Sequence, residues 1–411
     1  MAQKVVLAYS GGLDTSVIIR WLIDHDYEVV ALTVDLGNQP ALDEIQARAL
    51  KIGAVKARVE DARSVFVDHF IWPALKANAL YEGQYPLATA LGRPLIAKLL
   101  VDIAREEGAA AVAHGCTGKG NDQVRFDVSV GALAPGLRVI APVREWELKT
   151  REEEIAYAQR HDIPISVTKK SPYSVDENLW GRSIEAGVLE DPWTEPPEEV
   201  YRWTKPAAAA PSEPAYIEIQ FERGIPVSLD GAPLDGVTLI ERLTKLAGEH
   251  GVGRIDHLEN RLVGIKSREI YEAPAAVVLL QAHKALEQMT LSKEQLRMKE
   301  RVAVEYADLV YNGLWFTAHH QDLAAYTTST QRHVSGTVRV RLHRGAAAVV
   351  GRKSEESLYS LNLATYDTGD TFDQRSAIGF IHIWGLPVRV QAQVQLLKQP
   401  GGPLQLAGPE N

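Results

Sequence analysis

Cysteine is nearly absent from this sequence, which has one cysteine, Cys116, among 411 residues. A single cysteine excludes an internal disulfide and a metal cluster held only by protein thiolates. We therefore expect a reducing compartment, the cytoplasm. The N-terminus leads directly into a charged residue and a strand-like segment, without a signal-peptide pattern. No apolar run approaches the length needed to cross a membrane, so we expect no membrane partner.

Positive charge is also in short supply, since 44 Lys and Arg residues face 53 Asp and Glu residues and give a net charge of -9 at pH 7. This balance argues against a general nucleic-acid-binding surface, although it leaves room for a local basic pocket that binds phosphate. A length of 411 residues exceeds what one core usually serves. We expect two domains and an additional arm.

Strand-like and helix-like segments alternate over the first 165 residues. Strands are predicted at residues 4–9, 28–34, 55–59, 109–114 and 139–143. Helices are predicted at residues 41–51, 63–75, 94–107 and 151–161. This alternation predicts an α/β fold with a parallel sheet covered on both faces, and with ligands at the carboxyl ends of the strands.

The composition changes in the second part of the chain. Residues 192–214 carry many prolines and four consecutive alanines, which predicts a long surface segment without periodic structure. A strand at 216–221, helices at 237–247 and 275–291, and a hairpin of 337–342 with 346–350 indicate an α+β second domain. Residues 387–411 have alternating apolar residues and then a Pro/Gly-rich tail, which we interpret as an arm that packs on another subunit. The predicted domains are 1–165, 166–370 and 371–411, and the last is expected to be a C-terminal helix and arm.

The string AYSGGLDTS, at residues 8–16, lies between the first predicted strand and a helical pattern. Gly11 and Gly12 permit a tight turn that points backbone N–H groups and neighbouring hydroxyls at one place, which is typical of an anion site. The string lacks the lysine of a P-loop and the G-x-G-x-x-G pattern. It suits a pyrophosphate group that is held while another phosphate is attacked. Asp14 is a candidate magnesium ligand, because magnesium usually binds one carboxylate together with substrate phosphates.

A second polar string, HGCTGKGNDQVRF at residues 114–126, follows the fourth predicted strand and should lie at the same edge of the sheet. We expect it to form a loop, whose three glycines allow a ligand to approach the backbone closely. Thr117, Asn121, Asp122 and Arg125 offer donors, acceptors and both signs of charge, which suits a zwitterionic amino acid. A solvated loop would be the interpretation of this string alone, and Cys116 is best interpreted as a packing residue. Two such loops at one edge favour a binding site.

These strings resemble a known family. The string SGGLDTS is similar to the pyrophosphate loop of the N-type ATP pyrophosphatases, and residues 8–16 and 115–126 resemble the argininosuccinate synthase family. Further similar strings lie at 85–87, 141–146, 173–179, 253–256, 259–261, 266–268 and 271–272. The likeness extends over nearly the whole chain.

The resemblance implies an adenine nucleotide alpha hydrolase-like domain, an α+β second domain and a C-terminal oligomerisation arm. It implies that citrulline and aspartate are joined to give argininosuccinate, while ATP becomes AMP and pyrophosphate through a citrullyl-adenylate intermediate, in arginine biosynthesis. The substrates are then ATP, citrulline and aspartate, the metal is Mg²⁺, and the expected assembly is a homotetramer.

The resemblance also assigns roles to individual residues. The ATP-binding positions are Ala8, Tyr9, Ser10, Gly11, Gly12, Leu13, Asp14, Thr15, Ser16, Val34 and Gly115. The aspartate positions are Thr117, Asn121 and Asp122. The citrulline positions are Tyr85, Asn121, Arg125, Ser174, Ser183, Glu259 and Tyr271. Residues that could support this site or face phosphate are Arg93, Lys119, Arg144 and Asp176.

Each of these residues has a plainer interpretation when it is taken alone. A tyrosine such as Tyr85 is often a core-edge residue, and a serine such as Ser174 is often a turn or helix cap. Glu259 and Arg261 could simply pair on the surface. The functional assignment is preferred because the surrounding strings match.

The chain departs from the family pattern at residues 89–92. Ala90 stands where the family has serine, and Gly92 stands where alanine is usual. A missing hydroxyl would remove one hydrogen bond, worth about 0.5–1.5 kcal/mol. We therefore expect citrulline binding to be weaker by up to about tenfold, unless Thr89 or a water substitutes.

Two other functions stay open at this point. One is another enzyme of the same superfamily, such as a tRNA thiolase, an NAD synthetase or an amide-forming ligase. The single Cys116 speaks against a thiolase, which usually uses cysteine pairs, and leaves a glutamine-dependent ligase without its own nucleophile. The other is a non-catalytic nucleotide-binding protein, against which the polar groups of both loops speak.

Overall fold

The computed structural model describes residues 2–38, 41–148, 150–164 and 172–397. The chain divides into two compact units, Met1–Leu358 and Tyr359–Asn411. The predicted boundary between the first and second domains, at 165/166, lies outside the described residues.

The first unit begins with a five-stranded parallel sheet in the order β3-β2-β1-β4-β5. Its strands are β1 (Gln3–Ala8), β2 (Tyr27–Asp35), β3 (Lys56–Asp61), β4 (Ala111–Ala113) and β5 (Arg138–Ile140). The five predicted strands are confirmed, except that the last was predicted to continue to residue 143. It ends earlier because Pro142 lacks an N–H for strand pairing and begins a short helix instead.

Helices connect these strands and cover the sheet. They are α1 (Leu13–Asp24), α2 (Leu42–Ile52), α3 (Arg63–Phe66), α4 (Trp72–Ala77), α5 (Ala88–Glu107), α6 (Asp122–Leu133), α7 (Pro142–Glu145) and α8 (Arg151–Arg160). The π-helical segment Val67–Ile71 joins α3 to α4. The predicted helix at 63–75 is therefore confirmed, with a π-helical segment in its middle.

Two predictions in this region are corrected. Helix α5 begins at Ala88 rather than at Pro94, because Pro94 removes only one backbone bond and the preceding turns are held by burial of Leu91 and Ala90. The predicted second loop is helical from Asp122 onward.

Alternating side chains of the parallel strands enter two cores. Val5, Leu7 and Val29 belong to the core that includes α1, whereas Val6 and Val30 belong to a larger core that includes α5 and continues into the second half of the chain. Successive residues of a strand point to opposite faces, so both faces of this sheet are buried, as predicted.

The second half of the chain supplies two antiparallel sheets. Its strands are β6 (Ser174–Asn178), β7 (Gly181–Glu185), β8 (Ala215–Glu222), β9 (Ile225–Leu229), β10 (Ala232–Pro233), β11 (Arg254–Asn260), β12 (Lys266–Glu272), β13 (Gly336–His343) and β14 (Ala346–Lys353). The strand orders are β11-β12-β7-β6 and β10-β9-β8-β13-β14. The predicted strand at 216–221 and the predicted hairpin are confirmed.

Four long helices accompany these sheets: α9 (Gly236–Glu249), α10 (Pro274–Thr290), α11 (Lys293–Tyr311) and α12 (Ala318–Thr330). The first two match the predicted helices, and the other two add to them. Residues 192–214 contain only the single turn Glu198–Val200 and no strand, as predicted. The buried carboxylate of Glu272 anchors this segment by accepting bonds from the N–H groups of Arg202, Trp203 and Thr204.

The second unit contains α13 (Leu361–Ala364), α14 (Ser376–Trp384) and α15 (Leu386–Gln391), followed by the π-helical segment Ala392–Leu396. The apolar residues after 387 therefore lie on helical segments, in agreement with the C-terminal helix expected in 371–411. Residues 398–411 lie outside the described part. Among the described helices, none has the length and hydropathy of a membrane span.

Candidate active site

A cleft of about 460 Å³ opens at the carboxyl edge of the parallel sheet. Ala8 at the end of β1, Val34 near the end of β2 and His114 just after β4 lie in its wall, as expected for a parallel sheet. Residues of both halves of the chain line it. The predicted site residues that do so are Ala8, Tyr9, Ser10, Gly12, Leu13, Asp14, Thr15, Val34, Tyr85, Gly115, Thr117, Asn121, Asp122, Arg125, Ser174, Ser183, Glu259 and Tyr271.

The first loop joins β1 to α1 in a turn that needs glycine. Gly11 has a φ of +77°, and its carbonyl accepts a bond of 2.7 Å from Arg48. No side chain caps the N-terminus of α1, where Gly12 is the N-cap residue. The N–H groups of the first turn are therefore available to an anion, and the helix dipole favours negative charge there.

Gly11 and Ser16 do not line the cleft. Gly11 shapes the turn, and the Ser16 hydroxyl lies 3.1 Å from the Tyr9 hydroxyl. The hydroxyls of Ser10 and Thr15, which do line the cleft, are 3.1 Å apart. The loop thus presents two hydroxyls and a helix N-terminus to the same space.

The second loop comes close to α1 at Gly115. A Cβ atom at this position would lie 3.1 Å from Thr15 Cγ2 and 3.2 Å from Ile18 Cδ1. Absence of a side chain at Gly115 therefore lets the two loops form one wall.

Arg93 lies between two carboxylates in the cleft. It donates to Asp122 Oδ2 at 2.8 Å and also bonds to Asp176, while Arg125 donates to Asp122 Oδ1 at 2.9 Å. Burial acts to raise the pKa of Asp122, but the charges of Arg93 and Arg125 outweigh it and lower the pKa to about 2. The pKa of Asp176 is raised, because enclosure in the cleft and the neighbouring Asp122 outweigh the single shared arginine. Asp122 is therefore ionised, with both oxygens bonded to arginines.

The four-stranded antiparallel sheet forms the facing wall. Asp176 on β6 is paired with Ser183 on β7, and Ser183 with Tyr271 on β12. Ser174 is paired with Glu185 in the same ladder. Alternate residues share a face, so this strand register places the predicted citrulline positions side by side.

Glu259 is buried and accepts two tyrosine hydroxyls. Tyr271 donates to its Oε2 at 2.6 Å, and Tyr311 donates to its Oε1 at 2.6 Å. Burial and the nearby carboxylate raise the pKa of Tyr311 well above its ordinary value, so this hydroxyl keeps its proton. The plainer interpretation of Glu259 as a partner of Arg261 is wrong, since Arg261 bonds to Glu185 and Glu269.

Arg125 is 3% exposed and has three distinct nitrogen environments. Its Nε donates to the Tyr311 carbonyl at 2.9 Å and one terminal nitrogen bonds to Asp122. The other terminal nitrogen is buried without a hydrogen-bond partner among the described residues. A ligand carboxylate in the cleft would satisfy that nitrogen.

The cleft includes residues that the sequence analysis did not assign. They are Leu32, Thr89, Ile96, His114, Gly120, Phe126, Val175, Glu185, Arg261, Glu269 and Tyr311, together with the packing residue Cys116. Period-2 alternation along β7 and β12 could have indicated Glu185 and Glu269. Tyr311 ends a helix that was not predicted, so no signal pointed to it. Burial raises the pKa of the Cys116 thiol, in agreement with a packing role.

Three residues of the predicted surroundings lie elsewhere. Lys119 is exposed and does not line the cleft, and Arg144 bonds to Asp127 instead. Ala90 is fully buried and is not part of the cleft wall. Thr89 is part of it, and its hydroxyl lies 2.6 Å from the Tyr85 hydroxyl. In the first turn of α5, Thr89 therefore supplies a hydroxyl to the cleft wall, and residue 90 does not line the cleft.

Among the described residues, no group of three or more His, Cys, Asp or Glu side chains forms a metal centre. Asp14 is a single carboxylate in the first turn of α1, beside the uncapped N-terminus. One carboxylate fits a magnesium ion that arrives with phosphates, which contribute most of its ligands.

Comparison with known proteins agrees with this geometry. Residues 4–164 match the family described as arginosuccinate synthase N-terminal HUP domain, and residues 173–391 match the arginosuccinate synthase C-terminal domain. Proteins named argininosuccinate synthase from Dehalococcoides mccartyi and Gloeobacter violaceus are 60% and 61% identical to this chain. The alignments cover 96% of this chain in both cases, and 97% and 99% of the relatives. A relative of the same name from Symbiobacterium thermophilum is 61% identical over 96% of this chain and 99% of its own length.

Proposed function

The chain belongs to the argininosuccinate synthase family, and we propose that the cleft described above is where its reaction takes place. The family reaction joins citrulline to aspartate and converts ATP to AMP and pyrophosphate, a step of arginine biosynthesis. The observation that carries the proposal is that an uncapped helix N-terminus and a set of polar side chains suited to amino-acid ligands line the same 460 Å³ cleft.

ATP would bind at the carboxyl edge of the parallel sheet. The free N–H groups of α1 and the hydroxyls of Ser10 and Thr15 suit its β- and γ-phosphates. The apolar side chains of Leu32, Val34 and Ile96 also line the cleft and suit the adenine base.

Citrulline would lie against the antiparallel sheet. The unpartnered nitrogen of Arg125 suits its carboxylate, and Glu259, Ser174 and Ser183 line the wall where its other polar groups would bind. Aspartate would bind near Thr117, Asn121 and Asp122. Both oxygens of Asp122 already accept arginine bonds, so an aspartate ammonium group would share this carboxylate with them.

The chemistry requires little covalent participation by the protein. The ureido oxygen of citrulline attacks the α-phosphorus of ATP, and the P–O bond to pyrophosphate breaks. The aspartate amine then attacks the ureido carbon of the citrullyl-adenylate, AMP leaves with the bonding electron pair, and the amine loses a proton. Positioning and charge stabilisation supply most of the acceleration in such transfers.

Magnesium and an oligomer are further parts of the proposal. Asp14 would hold a magnesium ion that neutralises the phosphates as pyrophosphate leaves. The second unit exposes large apolar side chains on its helices, among them Ile378, Ile381 and Trp384. Such patches are typical of protein interfaces, which supports a homotetramer in which this unit contacts other copies.

The test is pyrophosphate release from ATP and magnesium, with citrulline and aspartate together and with each omitted in turn. Release over many turnovers only in the complete mixture, with equal amounts of AMP and argininosuccinate, is the expected result. Formation of the citrullyl-adenylate alone would give at most one pyrophosphate per site without aspartate, so continued release beyond that amount would redirect the proposal to another acceptor. ATP binding without release under any combination would overturn it in favour of a non-catalytic nucleotide-binding protein.

A further inference from the structure

Tyr311 is the last residue of α11, and its hydroxyl lies between two polar side chains of the cleft. It donates to Glu259 Oε1 at 2.6 Å and accepts a bond of 2.8 Å from Asn121 Nδ2. The other side-chain atom of Asn121, Oδ1, accepts the N–H of Leu262 at 2.9 Å. The donor and the acceptor are therefore determined for both hydrogen bonds that join Asn121, Tyr311 and Glu259.

The main chain and ring of Tyr311 also contact the cleft residues. Its carbonyl accepts the Nε–H of Arg125 at 2.9 Å, and the guanidinium carbon of Arg125 lies 4.8 Å from the centre of its ring. The ring of Tyr85 stands edge-on to it, with centroids 6.4 Å apart. One residue thus contacts four of the predicted citrulline positions, Asn121, Arg125, Glu259 and Tyr85.

The position of Tyr311 is tightly determined. Its ring stacks on Tyr81 with a centroid distance of 3.5 Å and an interplanar angle of 4°. Two residues later the chain turns at Gly313, which has a φ of +76°. A Cβ atom at Gly313 would lie 2.8 Å from Arg125 Cα, so the end of α11 packs directly on the backbone of α6. This contact and the ring stacking together hold Tyr311 beside the cleft.

We propose that Tyr311 is a positioning residue for citrulline: its hydroxyl fixes the orientation of the Glu259 carboxylate and of the Asn121 amide. A carboxylate has about four lone-pair sites, so the two tyrosine donors leave acceptor capacity on Glu259 for a ligand. Without the hydroxyl, Glu259 keeps only Tyr271 as a donor, and the Nδ2 group of Asn121 loses its acceptor. The proposal rests on the proposed function, because it concerns the citrulline end of the same cleft.

The main variant is Tyr311→Phe, which keeps the stacked ring and removes the hydroxyl. Tyr306→Phe is the matched control, because Tyr306 lies on the same helix, is fully buried, and its hydroxyl has no hydrogen-bond partner among the described residues. We expect Tyr311→Phe to raise the KM for citrulline about 5- to 20-fold and to change the KM for ATP less than twofold. The control should leave both constants within twofold.

A double-mutant cycle tests whether Tyr311 acts through Glu259. If it does, adding Tyr311→Phe to Glu259→Gln should raise the citrulline KM much less than it does in the wild-type background. Thermal unfolding of each variant reports on the fold, and we expect all of them to unfold cooperatively. Citrulline binding measured by calorimetry should weaken in parallel with the KM.

The outcomes separate this inference from the proposed function. An inactive wild type would overturn the proposed function itself. An active wild type whose citrulline KM is unchanged by Tyr311→Phe would overturn only the positioning role. Equal increases in the KM for ATP and for citrulline would also overturn the positioning role, because they would indicate a general structural effect. Fully additive effects of Tyr311→Phe and Glu259→Gln would overturn it as well, because the two residues would then act independently.

Discussion

At the scale of single residues, several charged groups of the cleft already have hydrogen-bond partners within the protein. Arg93 joins Asp122 to Asp176, and Glu259 is held by two tyrosines. Buried charges are costly unless they are paired and hydrogen-bonded. These pairs hold their side chains in place, so binding requires little reorganisation. Asp14 has a different environment from these residues: it is half-buried and lies in the first turn of α1.

Replacement of Asp14 by asparagine should lower turnover by about 100-fold or more, because it removes the carboxylate that we propose holds magnesium against the leaving pyrophosphate. Asp43→Asn is the matched control, since Asp43 occupies the same second position of α2 and is exposed. Both variants lose a similar helix-dipole interaction, about 0.3–1 kcal/mol. Steady-state assays over a range of magnesium concentrations measure the difference. Near-normal turnover in Asp14→Asn would remove this residue from the metal role.

At the scale of elements, the site depends on close approach between backbones. The second loop lies against α1 at Gly115, and the end of α11 lies against α6 at Gly313. Helix α11 is also tied to α10 by a buried polar cluster in which Lys299 pairs with Glu287 at 2.7 Å, and Glu287 accepts from Gln331 at 2.8 Å. Packing between elements, rather than any local pattern, therefore sets the distance across the cleft.

The substitution Gly115→Val should raise the KM for ATP about tenfold, because its side chain would push Thr15 away from the anion-binding turn. Gly118→Ala is the control in the same loop, since a Cβ atom there meets nothing within 4 Å. Nucleotide affinity measured with a fluorescent ATP analogue would separate the two variants. Equal affinities would mean that the loops can move apart without affecting ATP.

Loss of the buried cation in Lys299→Met should lower the free energy of unfolding by about 3–5 kcal/mol, because it leaves the Glu287 carboxylate without its positive partner. The control on the same helix is Lys293→Met, whose side chain is 68% exposed, and which should change stability by less than about 0.5 kcal/mol. Urea unfolding followed by tryptophan fluorescence measures both. A loss below about 1 kcal/mol in Lys299→Met would mean that the remaining polar partners of Glu287 suffice.

At the scale of the whole molecule, the two compact units differ in how they treat apolar residues. The first unit buries its large apolar side chains in continuous cores. The second unit leaves them exposed, with Ile381 at 63% and Trp384 at 74% exposure. Exposed apolar residues in such density are typical of an interface.

Aspartate substitution of Ile381 and Trp384 together should reduce the native assembly to smaller species, because it places two charges in the proposed interface. Gln391→Asp adds a charge to the same unit at an exposed polar position and should leave the assembly intact. Light scattering during size-exclusion chromatography measures the mass, and we expect about four chains of 45.2 kDa for the unaltered protein. A monomeric unaltered protein would contradict the proposed tetramer.

The parallel sheet, most of its helices, the turn at Gly11 and Gly12, and the family could all be predicted from the sequence. These features follow from local periodicity and from short strings, which reflect backbone geometry within a few residues. The residues that meet in the cleft were also predictable where they belong to such strings, because parallel strands bring their carboxyl ends to one edge.

The pairing of side chains, in contrast, became visible in the folded structure. Glu259 bonds to Tyr271 and Tyr311 instead of Arg261, and Thr89 lines the cleft where Ala90 does not. Asn121 and Tyr311 are 190 residues apart in the chain. Such contacts depend on how whole elements pack. Packing brings together residues that are far apart in the sequence, so no local pattern predicts them.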